Sequence, residues 1–88
     1  MNLSSKHHKT LQAVFEVPVR PNVAWADVER LFRALGAEVS EGRGSRVRVY
    51  LGGIRAVFHR PHPQKETDKG ALMSVRRFLV EAGYEPGE

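Results

Sequence analysis

The chain contains no cysteine, which excludes a disulfide frame, a thiol nucleophile and a zinc–thiolate centre. It contains no apolar run as long as a signal-peptide core or a membrane span, so the expectation is a soluble, cytoplasmic protein with no membrane partner. Its glycine clusters, Gly42-Arg43-Gly44 and Gly52-Gly53, do not follow the strand–loop–helix pattern of a phosphate-cradling loop. Ser40, Ser45 and Ser74 have no His and Asp at a spacing that would suggest hydrolase chemistry. No cofactor is expected.

Acidic residues are scarce in one part of the chain. Residues 43–77 hold nine Lys or Arg against two acids, whereas the rest hold five against eight, within a net charge of +4. A basic segment joined to an acidic one favours a polyanion, nucleic acid above all, as the partner of one surface; the alternative is a solvated face that confers only solubility. At 88 residues the chain makes one domain with a single modest core, burying roughly 60% of the unfolded surface.

Hydrophobic periodicity predicts an α+β fold in the order α-α-β-β-β-α. A short helix is expected over residues 6–16, with Leu11, Val14 and Phe15 on one side. Pro18 and Pro21 bound a linker that a helix could not cross. Val28, Leu31, Phe32 and Leu35 then recur at i, i+3, i+4 and i+7, one apolar stripe of a second helix. Asp27 and Glu29 in its first turn and Arg33 in its last suit the helix dipole, and Gly36 is a good stop. Trp25 reads as a core or staple residue at the helix start. A short strand over 37–42 follows. After a loop over 60–67 pinned by Pro61 and Pro63, Asp68 or Thr67 caps a last helix to about residue 82, with Leu72, Val75, Phe78, Leu79 and Ala82 inward.

The clearest local signal is Gly52-Gly53 between the runs 46–51 and 54–59. A two-residue type I′ turn there fixes the register. Leu51 faces Ile54, Val49 faces Ala56 and Val47 faces Phe58, all apolar; the alternate pairs are Tyr50–Arg55, Arg48–Val57 and Arg46–His59. Such a sheet needs helices on its apolar face and leaves the cationic face open.

Of four histidines, His7 and His8 lie near the terminus and read as solvated surface. His59 should close its strand beside Arg46, Arg48 and Arg55. An imidazole there can take a proton from an RNA 2′-hydroxyl or give one to a leaving oxygen, while the arginines hold the phosphate. The alternative is a strand-ending residue that only hydrogen-bonds a phosphate. His62, between two prolines, is a weaker catalytic candidate. The His59-x-x-His62 spacing does not amount to a metal site, since two imidazoles are too few and Arg60 and Lys65 oppose a divalent cation. The RNA contacts expected are Arg46, Arg48 and Arg55, with Arg60, Lys65, Lys69 and Arg76 as further cations. Tyr50 can stack on an unpaired base or pack on Arg55.

Leu35-Gly36, Gly44-Ser45, the strand pair, Pro61-His62-Pro63, Lys65-Glu66, and then Gly70, Leu72, Ser74, Leu79 and Ala82-Gly83 form an ordered set. That set resembles the HicA family of toxins from bacterial toxin–antitoxin pairs. The resemblance spans residues 23–83. It implies a double-stranded-RNA-binding-domain-like α-β-β-β-α core, ribonuclease activity on messenger RNA, and a HicB-type antitoxin partner. Residues 22–84 would be that domain, 1–21 an N-terminal extension with a short helix, and 85–88 a tail. Family members carry their catalytic histidine directly after Gly-Ser, where this chain has Arg46 and Val47. Two readings follow: His59, across the strand pair from Arg46, has taken over the imidazole's place, or the protein binds RNA or docks its antitoxin without cutting.

Overall fold

The structure, a computed structural model, describes residues 3–61 and 65–85. Helix α1 spans Ser5–Val14, β1 Val23–Ala24, α2 Trp25–Ala34, β2 Glu38–Glu41, β3 Arg46–Leu51, β4 Ile54–His59, β5 Glu66–Thr67 and α3 Lys69–Glu81. Strands β2, β3 and β4 form an antiparallel sheet in that order. The helices lie on one side of it, α2 against β2, α3 against β4, and α1 against both helices.

The hairpin register is the expected one, from Leu51 opposite Ile54 to Arg46 opposite His59. Gly52 and Gly53 take φ of +58° and +82°, the left-handed pair that a type I′ turn requires. The inward positions Val47, Val49, Leu51 and Phe58 are buried against Phe32, Leu72, Val75 and Phe78. At the centre, Phe32 stacks on Phe58 at 5.6 Å, and Phe78 meets both edge-on at 5.6 and 5.7 Å. Such aromatic pairs add about 0.5–1.5 kcal/mol each beyond their burial.

Three features depart from the sequence reading. Helix α1 is shorter than expected, and Phe15 is its cap; Leu11 and Val14 are nevertheless fully buried in the common core. The segment read as a loop up to residue 67 ends in β5, which pairs with β1 through Val23–Thr67 and Ala24–Glu66. That bridge also serves α2, whose start has no side-chain cap: the Trp25 N–H donates to the Lys65 carbonyl at 3.0 Å, satisfying one of the orphan donors of a helix N-terminus. Arg76 donates from Nε to the Val14 carbonyl at 3.0 Å and from Nη2 to the Glu16 carbonyl at 2.8 Å. These are carbonyls at and just beyond the end of α1, so α3 caps α1 through this guanidinium.

Candidate functional site

Alternation along the hairpin sends Arg46, Arg48 and Tyr50 of β3 and Arg55, Val57 and His59 of β4 to the face away from the helices, where all six are exposed. The Arg60 N–H donates to the Ser45 carbonyl at 2.8 Å. In an antiparallel ladder a bond joining the residues just outside a facing pair marks that pair, here Arg46–His59, as non-hydrogen-bonded. Its Cα atoms lie roughly 4.5 Å apart and its side chains are at their closest. By the same alternation Arg48–Val57 and Tyr50–Arg55 are also close pairs. The Arg55 guanidinium sits 5.3 Å from the Tyr50 ring centroid, a cation–π contact. Glu38 and Ser40 of β2 continue these rungs, opposite Tyr50 and Arg48. The twisted face is concave: Glu38, Ser40, Arg48, Tyr50, Arg55 and Val57 line a depression of about 660 Å³.

Arg60 follows His59 and therefore points to the helix side. Its Nε and Nη2 donate to the two Glu29 carboxylate oxygens at 2.7 and 3.0 Å, and its Nη1 donates to Glu41 at 2.6 Å. The Trp25 indole also donates to Glu29. Hydrogen bonds from Arg60 hold the Glu29 carboxyl below its usual range, outweighing the opposing effect of burial, with help from Trp25 and the nearby Arg33. They do the same for Glu41 and raise Arg60 itself. Arg60 is thus a clamp tying the end of β4 to α2 and β2, and Arg76 is a helix cap. Both guanidiniums are held by partners within the fold, and neither is on the open face.

Lys65 and Lys69 are exposed beside β5 and at the start of α3, apart from the three-stranded sheet. Lys65 lines a depression with Pro21, Glu66, Thr67 and Asp68. Asp68 caps α3 by accepting from the Ala71 N–H at 2.7 Å. His62 lies outside the described residues. Among the described residues, no three of His, Cys, Asp and Glu gather as a metal site would require.

The open face therefore unites Arg46, Arg48, Tyr50, Arg55 and His59. Sequence reading missed Glu38 and Ser40; with the 37–42 strand laid against 46–51, its alternation was the signal that could have found them. The sequence model of one protein family, described as the HicA toxin of bacterial toxin-antitoxin, matches residues 25–84. The chain belongs to the HicA toxin family. No curated protein and no solved structure gives a match. The HicA match begins at Trp25, so α1 and β1 precede the matched region although α1 is built into the same core. Among the described residues no helix is long and apolar enough to cross a membrane.

Proposed function

We propose that this HicA-family chain is a messenger-RNA endoribonuclease of the cytoplasm, restrained by a HicB-like antitoxin, with residues 22–84 as its RNA-binding domain. The observation that carries the reading is the Arg46–His59 pair: the position after Gly44-Ser45 is directly across the ladder from an exposed imidazole. His59 takes the proton of a 2′-hydroxyl. The 2′-oxygen–phosphorus bond forms as the phosphorus–5′-oxygen bond breaks, leaving a 2′,3′-cyclic phosphate and a 5′-hydroxyl. The imidazolium or a water protonates the departing 5′-oxygen. Arg46 holds the phosphate undergoing attack, and Arg48 and Arg55 hold its neighbours, stabilising the charge that develops. The same cations attract an acidic antitoxin, which inhibits by covering the face that RNA needs.

The replacement of the usual histidine by Arg46 supports a second reading, an RNA-binding or antitoxin-docking module without cleavage. Purified protein incubated with unstructured RNA in a chelator separates the two. Cleavage lost in His59→Ala and kept in His8→Ala supports the nuclease. Cleavage in His59→Ala equal to the parent refutes this role for His59. If nothing cuts, yet affinity falls with salt by a log–log slope of roughly 0.7 per phosphate contact and Arg46→Ala lowers that slope, the chain is a binder. Binding to a protein partner without any RNA affinity makes it a docking module.

A further inference from the structure

Resting on that reading, we propose that the depression on the open face is a base-reading subsite that selects guanine through Glu38. The face carries Arg46, Arg48 and Arg55 for phosphates, and a carboxylate among them adds nothing to phosphate affinity. Glu38 is nevertheless exposed there, lines the depression, and forms no ion pair among the described residues. It is the direct neighbour of Tyr50 across β2 and β3. Tyr50 in turn carries the Arg55 guanidinium on its ring.

One rung of the sheet thus offers a stacking ring braced on one side by a cation and flanked on the other by an acceptor-only group. Stacking on an aromatic tolerates every base, so selectivity falls to the groups beside it. An ionised carboxylate has two acceptor oxygens and no donor. Guanine alone among the four bases presents two adjacent donors, N1–H and the N2 amine, on its Watson–Crick edge. Adenine and cytosine each set a ring-nitrogen acceptor beside their amine, and uracil flanks its single donor with carbonyls, so each meets the carboxylate with at least one repulsive contact.

Tyr50 lies four residues along β3 from Arg46, roughly 13 Å at the rise of a strand. The base read is therefore not at the scissile step but a short stretch of single strand away from it. Ser40, on the next rung beside Arg48, faces the link between the two.

The test uses fluorescein-labelled 2′-O-methyl pentamers, which lack the attacking hydroxyl, and anisotropy titration of the full chain. The probes are pentauridine and its derivatives with one central guanosine, inosine or adenosine. The guanosine pentamer should bind at least about fivefold tighter than the inosine and adenosine pentamers, the lower end of what a bidentate base contact provides. In Glu38→Gln the guanosine preference should disappear, with no loss of affinity for pentauridine, because an amide sets one donor beside one acceptor where guanine needs two acceptors. Tyr50→Ala should weaken all four probes, and Tyr50→Phe should restore them. A parent without guanosine preference, or a preference that persists in Glu38→Gln, overturns the inference. Pentauridine binding that is salt-sensitive but blind to the central base sinks this subsite and leaves the phosphate-binding reading intact; failure of every pentamer to bind sinks both.

Discussion

Arg60→Met removes the cation at the centre of the polar network and strands a carboxylate. Glu29 loses donors at 2.7 and 3.0 Å. In the parent fold it is 6% exposed, and in the variant it keeps as supports the Trp25 indole and the Arg33 guanidinium, which lies 3.8 Å away. Breaking a buried ion pair from one side costs about 3–5 kcal/mol. The Arg60 side chain is itself 32% exposed, and Glu29 keeps two supports, so screening and residual pairing bring the expectation down to roughly 2–3 kcal/mol. In a domain of this size each kcal/mol moves Tm by roughly 4–8 °C, which places the loss at about 10–20 °C. Thermal unfolding followed by circular dichroism at pH 7 measures it. Adding Glu29→Gln to Arg60→Met removes the stranded charge while keeping an acceptor for Trp25, so the double variant should melt above the single one. An Arg60→Met protein melting within about 3 °C of the parent would refute the clamp, because that corresponds to less than about 1 kcal/mol.

Other outcomes follow from the same contacts. Because Glu29 has a lowered carboxyl pKa in the fold, its contribution to stability is complete above the unfolded carboxylate range and disappears as pH falls through the lowered folded value. Tm should therefore decline on acidification below about pH 4.5 and do so less steeply in Glu29→Gln, as melts across a pH series would show. A Cβ on Gly52 would come 3.0 Å from the Ala82 carbonyl oxygen, whereas one on Gly53 meets nothing within 4 Å, and both residues have positive φ. Gly53→Ala should cost roughly 1 kcal/mol and Gly52→Ala about 1 kcal/mol more in urea unfolding, with equal losses counting against the close approach. Leu11→Ala should lose about 2–5 kcal/mol in the same assay, as a core residue does, whereas a helix outside the core would lose almost nothing.

The hairpin was legible because one turn controls it. Gly52-Gly53 permits few geometries, and a two-residue reversal sets every facing pair down to Arg46–His59. The stripes of α2 and α3 were legible for a similar reason, since Val28, Leu31, Phe32 and Leu35 in one and Leu72, Val75 and Leu79 in the other recur at a helical period. Strands β1 and β5 were not, because two residues carry no periodicity and their pairing joins chain segments that are remote in sequence. Charge is visible in a sequence and its partners are not, so the sequence does not show that Arg60 and Arg76 bond within the fold. Alternation along β4 would already have turned Arg60 away from His59's face. Nothing local announces that Glu29, 31 residues earlier, waits there. Arg76 is on the half-buried flank of α3, where the carbonyls it caps come from the other end of the chain.

If His59 supplies, from the neighbouring strand, the imidazole that the family carries directly after Gly-Ser, cleavage should follow the imidazole across the rung. Exchange across the rung tests it most directly: His59→Ala, Arg46→His, and the swapped pair Arg46→His/His59→Arg, each assayed for RNA cleavage in a chelator. His59→Ala should be inactive, and the swapped protein should cleave RNA to a 2′,3′-cyclic phosphate. Full activity in His59→Ala would contradict this role of His59.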